Sequence, residues 1–278
     1  MPELELLYKI DKKTNLQSFL KEKKFSDSLI AKLKNEKKNI FIGNELITFQ
    51  KKLTPGDVIK IILPHEKSNI NIVDGILNII YEDDFIMVLN KPHNIAVIGT
   101  IAHHDYHLSG IIIKYYNEKN TKATVHYVNR LDKDTSGLII VAKHQYIHGL
   151  FAHVQIKKKY LLKVNGNLIK KEDIIISSIK KDATYRSTKY MIDENGKKAM
   201  TKYKVVNDDG KYSNIEAELL TGRTHQLRVQ FSSMGFPIVG DTIYNGEKAE
   251  FLHLESYYLS FVHPVTKVPL TFILPIEW

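Results

Sequence analysis

The sequence contains no cysteine, which excludes disulfides, cysteine nucleophiles and thiolate metal sites. Any nucleophile is therefore an oxygen or a nitrogen. No run reaches the roughly 18 consecutive apolar residues that would suggest a membrane span, so no membrane association is expected. The opening residues Met1-Pro2-Glu3-Leu4-Glu5 lack the basic-then-apolar order of a signal peptide. With the missing cysteines, this predicts a cytoplasmic protein. Internal repeats and low-complexity tails are absent. The first 66 residues hold no arginine, yet carry 13 lysines against 9 acidic residues.

What remains is a chain of 278 residues, 43% hydrophobic and 26% charged, close to the average for globular proteins with a sizeable core. That length suits one catalytic domain of ordinary size and a smaller attachment, and the chain is expected to be a monomer. The net charge of +9 favours a polyanionic partner, such as nucleic acid or an anionic membrane surface. Lysine-rich surfaces also serve solubility alone, so the motifs must decide.

Residues 1–66 read as a small basic α/β domain. Leu16, Phe19 and Leu20, then Leu29, Ile30 and Leu33, recur at helical spacing among lysines and predict two short amphipathic helices. Ile40-Phe41-Ile42, a Gly43-Asn44 turn and Leu46-Ile47 predict a hairpin. Pro55-Gly56-Asp57 turns the chain into Val58 to Leu63, which Pro64 ends. Residues 64–70 are polar and read as a linker crossed by few core contacts. Residues 67–278 form the second domain. Ile76 to Ile80 and Phe85 to Leu89 predict two strands joined by an acidic turn, and Leu138 to Ala142, Tyr160 to Val164 and Ala199 to Val206 are further strands. The fold class is α+β.

The segment Asn129-Arg130-Leu131-Asp132-Lys133-Asp134-Thr135-Ser136-Gly137 is a polar, Gly-terminated loop feeding an apolar strand. Such a loop can hold a reactive side chain rigidly beside a core. Asp132 and Asp134 also suit ordinary turn residues that hydrogen-bond locally. Further on, Thr224 is a candidate N-cap, with Leu227, Phe231 and Met234 on one helical face. Arg228 would project from that helix.

Arg130-Leu131-Asp132-Lys133-Asp134-Thr135-Ser136-Gly137-Leu138 resembles the signature of RluA-type pseudouridine synthases, in which the Asp is the nucleophile. Lys157-Lys158-Lys159-Tyr160 to Gly166 is similar to that family's second motif, and Gly222-Arg223-Thr224-His225-Gln226-Leu227-Arg228 to its third. Gly235 to Asp241 matches an expected turn and strand. The likeness covers most of residues 76–278. It implies a mixed, largely antiparallel sheet with flanking helices. It also implies that Asp132 is the nucleophile, that Tyr160 lies against the target base as a stacking surface and candidate proton acceptor, and that Arg228 pairs with Asp132. Arg130 would help displace or replace the flipped base, and Leu227 would pack near it. An adjacent guanidinium keeps a buried carboxylate ionised. Asn129 departs from the family pattern, which has His there; this bears on loop geometry rather than chemistry, and His126 is given no part. Residues 14–63 resemble the small RNA-binding domain named after ribosomal protein S-four, with Lys in place of the usual Arg; Lys supplies point charge rather than bidentate phosphate contacts.

The expected activity is isomerisation of uridine to pseudouridine in structured RNA, either ribosomal or transfer RNA, with no cofactor and no metal. His103 and His107, four residues apart, are the one candidate metal pair. They also resemble the polar loop that precedes a helix in that family, here Leu108 to Tyr115, and are read that way. A catalytically silent RNA-binding or ribosome-assembly protein is the alternative; it would be expected to have lost Asp132, Tyr160 or Arg228. A hydrolase would need a second carboxylate as general acid, and Asp134, in the same loop, is a poor one.

Overall fold

The computed structural model describes residues 4–99, 106–184 and 189–275. Strand β1 (Glu5–Lys9), strand β2 (Thr14–Asn15) and helices α1 (Leu16–Glu22) and α2 (Asp27–Glu36) open the chain. Both helices start at polar caps: Asn15 accepts from Ser18 N at 2.8 Å, and Ser26 accepts from Leu29 N. Their buried positions are the six apolar residues expected from helical spacing. Strands β3 (Ile40–Ile42), β4 (Glu45–Leu46), β5 (Lys52–Leu53) and β6 (Val58–Ile62) follow. Four strands form a sheet in the order β1-β6-β3-β4, and β2 pairs with β5.

The rest is organised on one large sheet. Its elements are β7 (Ile79–Glu82), β8 (Ile86–Lys91), α3 (Leu108–Glu118), β9 (His126–Tyr127), β10 (Ser136–Ala142), α4 (Gln145–Leu150), β11 (Lys157–Asn165), β12 (Glu172–Lys181), β13 (Tyr190–Ile192), β14 (Lys197–Asp208), β15 (Tyr212–Leu219), α5 (Gln226–Ser233), β16 (Leu254–Val262) and β17 (Pro269–Ile273). Strand order runs β13-β12-β14-β15-β11-β16-β10-β8-β7, with β17 on β16 and β9 on β10. The architecture is mixed α+β. Pairing is antiparallel except where Ser136 and Gly137 of β10 run beside Glu255 and Ser256 of β16. Strand β10 is buried at all seven positions, so its sequence is continuously apolar rather than alternating. Strand β14 instead alternates along Ala199 to Val205, buried at every second residue.

Residues 64–66 do not behave as a loose linker. His144 Nε2 donates to the Pro64 carbonyl at 3.1 Å, and Glu66 accepts from Gln145 N at 2.9 Å and contacts His126 Nε2 at 3.0 Å. Core contacts cross the boundary as well. Tyr146 of α4 stacks on Phe25 with ring centroids 4.1 Å apart, donates to the Lys23 carbonyl at 2.8 Å, and meets the Tyr8 hydroxyl at 3.0 Å. The apolar residues of the first 63 positions and those beneath β8, β10 and β16 form one continuous cluster. Aromatic side chains carry this contact, and an apolar residue in a helix shows in sequence that it is buried, not against what.

Replacing Tyr146 by Ala removes a side chain that is 5% exposed together with its hydroxyl bonds. The expected loss is about 3–5 kcal/mol, read by urea unfolding, with faster proteolysis within residues 64–70. A change below about 1 kcal/mol would show that the two parts are energetically separate.

Candidate active site

The loop between β9 and β10 is tied down along its length. Asn129 is buried and uses both ends of its amide on β10, donating to the Leu138 carbonyl at 3.2 Å and accepting from Ile140 N at 2.7 Å. Leu131 anchors in the core at 7% exposure. Lys91, fully buried at the end of β8, donates to the carbonyls of Pro92, Ile95 and Lys133 at 2.9–3.1 Å. His93 Nδ1 bonds the Asp134 carbonyl at 3.1 Å. Burial pushes the Lys91 amine down to about 7, against the pull of Asp134 and Asp132. Three carbonyl acceptors match the three protons of an ammonium ion, so its bonds to the loop favour the charged form. Between these anchors Asp132 turns outward, with its side chain 27% exposed.

Facing it is α5, a short helix that buries polar residues. Gln226 accepts from Thr221 Oγ1 and Arg223 N, and donates to the Met200 carbonyl and to Thr201 Oγ1, at 2.9–3.0 Å. Gln230 accepts from Thr201 Oγ1 at 2.6 Å and donates to Ser177 Oγ at 3.0 Å. These bonds fix the helix on β12 and β14. Arg228, 3% exposed, donates from Nε and Nη2 to Asp241 at 2.7 and 2.8 Å. Its Nη1 lies 3.7 Å from Asp132 Oδ2. Burial opposes the guanidinium's charge, but Asp241 first and Asp132 next outweigh it, and its pKa is raised.

His225 precedes the helix in the left-handed region, at φ 55°, which non-glycine residues rarely adopt. It is 8% exposed; Nδ1 meets the Tyr244 hydroxyl at 2.8 Å and Nε2 lies 3.7 Å from Asp132 Oδ2. Burial lowers its pKa despite the carboxylate.

A cleft of about 420 Å³ opens over these groups, within the range that takes a nucleoside-sized ligand. Tyr160 and Leu227 form its apolar wall at 6% and 4% exposure, while Arg130 sits exposed on the lining. Burial, reinforced by Asp132's charge, pushes the Tyr160 phenol up to about 12. The phenol is therefore neutral at neutral pH. Lys158, also on the lining, has its pKa lowered by burial.

All five residues expected from the sequence, Asp132, Tyr160, Arg228, Arg130 and Leu227, line this cleft. Two expectations fail locally. Thr224 does not cap α5: the helix begins a residue later, His225 occupies the cap position without a side-chain bond to the helix backbone, and Met234 lies past the helix end, 38% exposed. Asp241, buried at 1% exposure, is the principal partner of Arg228, a role that sequence reasoning misses; its only signal is a lone Asp after Gly240, which reads as a turn. His225, Tyr244 and Lys91 are missed in the same way. Of the histidine pair, His103 lies outside the described residues, and His107 caps α3 by accepting from Gly110 N at 3.0 Å. His126, bonded to Glu66, has no place in the site. No helix among the described residues is long and apolar enough to cross a membrane.

Residues 85–233 match the family model described as RNA pseudouridylate synthase. A Bacillus subtilis protein named as an uncharacterized RNA pseudouridine synthase, YjbO, is 32% identical over 90% of this chain and 91% of its own length. The ribosomal large subunit pseudouridine synthase D of Borreliella burgdorferi is 33% identical over 95% of this chain and 82% of its own. Among solved structures, human RNA pseudouridylate synthase domain containing 1 superposes with a TM-score of 0.59 at 24% identity, over 76% of this chain and 86% of that one; this likeness speaks to fold.

Asp241→Ala removes both hydrogen bonds that hold the buried Arg228 guanidinium. The expected cost is about 3–5 kcal/mol in denaturant unfolding. A loss under about 1 kcal/mol would mean that water or Asp132 can replace Asp241.

Proposed function

The chain belongs to the RNA pseudouridylate synthase family and is an RNA pseudouridine synthase of the RluA type, and we propose that Asp132 is the group that attacks its substrate. The observation that carries this reading is the approach of the Arg228 guanidinium to within 3.7 Å of the Asp132 carboxylate, at the floor of a cleft walled by Tyr160. The net reaction is an isomerisation. The bond between ribose C1′ and N1 breaks, one between C1′ and C5 forms, the C5 proton leaves, and N1 takes one up. Electrons and atoms balance within one nucleotide, so no redox partner or activating cofactor is required.

A carboxylate serves either opening step, covalent attack at C1′ or removal of the 2′ proton, and Arg228 is the cation beside it. A stacked base is out of reach, so the target nucleotide must be unpaired or flipped at a cost of a few kcal/mol. Tyr160, as a neutral phenol, offers the flipped uracil a stacking face, Leu227 packs beside it, and Arg130 at the rim meets the strand the base has left. Lys158 offers a phosphate a cation inside the cleft.

Residues 1–66 are proposed as an RNA-binding domain, and 67–278 as the catalytic one. Lys34, Lys37 and Lys38 are exposed at the end of α2, where they can meet phosphates. Relatives named for the ribosomal large subunit favour a ribosomal RNA substrate over transfer RNA, and hence work in the cytoplasm.

Asp132→Asn is expected to lower turnover at least about a thousandfold while leaving RNA affinity nearly unchanged. Residual activity above that level moves the reacting group elsewhere. Mapping pseudouridines in RNA from cells with and without the protein tests the substrate: loss confined to transfer RNA would refute the ribosomal assignment. Changing Lys34, Lys37 and Lys38 together to Gln should reduce the slope of log affinity against log salt by roughly 0.7–0.9 for each phosphate no longer neutralised, with the single-turnover rate at saturating RNA preserved. An unchanged slope would show that these lysines only solvate the surface.

A further inference from the structure

We infer that His225 is a positioning residue for Asp132: locked with its proton on Nε2, it donates to Oδ2 alongside Arg228 and leaves Oδ1 to meet the substrate. This rests on the reading that Asp132 is the reacting group.

The lock is read from a chain of hydrogen bonds. Tyr190 N donates to the Tyr244 hydroxyl at 2.9 Å, and that hydroxyl lies 2.8 Å from His225 Nδ1. A phenol has one proton to give. Nδ1 is the one acceptor among the described bonds that this proton reaches, and Nε2 is the nitrogen that faces the Asp132 carboxylate, so the neutral ring is assigned with Nδ1 accepting and its hydrogen on Nε2. The ring cannot readily turn over. Tyr190 and Tyr244 wedge it edge-on, each with its centroid 5.6 Å away, at 65° and 90°. The backbone is held at φ 55°, a strained conformation for His that the rest of the fold must support.

What the ring faces is one oxygen. Nε2 and Arg228 Nη1 both lie 3.7 Å from Asp132 Oδ2, so two donors converge on the same atom. The partner oxygen, Oδ1, is thereby left for the cleft. Both distances exceed a hydrogen bond by a few tenths of an ångström, and such contacts commonly shorten once substrate fills a site.

Several other charges surround this pair. His225 feels Asp132 and Asp134 from the β9–β10 loop, Arg228 from α5, and Asp241 beneath it; Lys189 stands 5.8 Å above the Tyr244 ring. Asp132 also faces Lys91 of β8. Burial holds the His225 pKa below its ordinary value, which leaves the ring neutral near pH 7. Removing a donor to the carboxylate raises that carboxylate's pKa.

The test is the single-turnover rate against pH at saturating RNA for four proteins: wild type, His225→Leu, His225→Gln and Tyr244→Phe. Leu and Gln carry similar strain at this backbone position, and Gln brings an amide N–H about as far from the backbone as Nε2. Their comparison isolates the donor. His225→Leu is expected to be slower by about tenfold, with its acid limb displaced upward by about one pH unit and RNA affinity unchanged. Gln should recover most of both. Tyr244→Phe keeps the ring but frees the tautomer, and should shift the profile less and in the same direction. The inference is overturned if His225→Leu keeps the wild-type profile, or if Gln is as impaired as Leu at equal melting temperature. Should His225→Leu not fold, a wild-type profile for Tyr244→Phe overturns it. Asp132→Asn run in parallel separates the two claims. An active Asp132→Asn removes the premise, whereas an inactive one beside a normal His225→Leu refutes only the role of His225.

Discussion

A guanidinium at 3% exposure loses several kcal/mol of hydration unless charge and hydrogen bonds are met locally, and Asp241 meets them for Arg228 with two bonds of 2.7 and 2.8 Å. The geometry of that pair constrains its surroundings. Arg228 must leave α5 at a fixed angle, so α5 is held by Gln226 and Gln230 on the backbone and hydroxyls of β12 and β14. Asp241 must face back toward the helix, and it also accepts from Tyr244 N at 3.3 Å. Tyr244 is thereby placed beside both Arg228, 5.4 Å from its ring, and His225. One buried charge thus organises three segments distant in sequence.

With Asp241 satisfying two of its nitrogens, Arg228 has Nη1 left for the cleft. One guanidinium thus serves two carboxylates, bonded to Asp241 and 3.7 Å from Asp132, the more exposed of the two. That asymmetry suits a reacting carboxylate. Asp241 is sealed against the guanidinium, while Asp132 stands at the edge of the apolar wall formed by Tyr160 and Leu227. The neutral phenol of Tyr160 adds no competing charge. Preorganised dipoles and charges of this kind need little rearrangement during reaction.

Much of this is legible in the sequence, for identifiable reasons. Strands β10, β11 and β14 and helices α1 and α2 follow from apolar patterning, since burial on one or two faces imposes periodicity. Asp132, Tyr160 and Arg228 stand in segments whose order of residues carries a resemblance, and they meet in one cleft. Asn129 departs from the family pattern, and its amide proves to bond both a carbonyl and an N–H of β10. Partners that depend on three-dimensional return of the chain are not legible. Asp241 lies 13 residues beyond Arg228 with no periodic relation to it, and the strained φ of His225 has no signature in a single sequence. The contact of Tyr146 with Phe25 stays hidden because helical spacing shows that a face is buried without naming its partner.

The loop's exit explains why the large sheet is needed at all. Gly137 sits at φ 106°, and a Cβ there would lie 2.4 Å from the Ser256 carbonyl oxygen. No side chain fits, so β10 can approach β16 closely enough to run parallel to it for two residues, the one parallel strand pairing among the described residues. Ser256 pairs in turn with Tyr160 across β16 and β11. Loop exit and cleft wall are therefore registered through a single residue, Ser256, and their separation is set by backbone hydrogen bonds rather than by flexible side chains. The opposite wall, α5, is referenced to the same sheet through β14, which pairs with β15 and so with β11. Asp132 and Arg228 come from segments nearly a hundred residues apart, yet both are measured from strands of one sheet. Their 3.7 Å approach depends on that common reference.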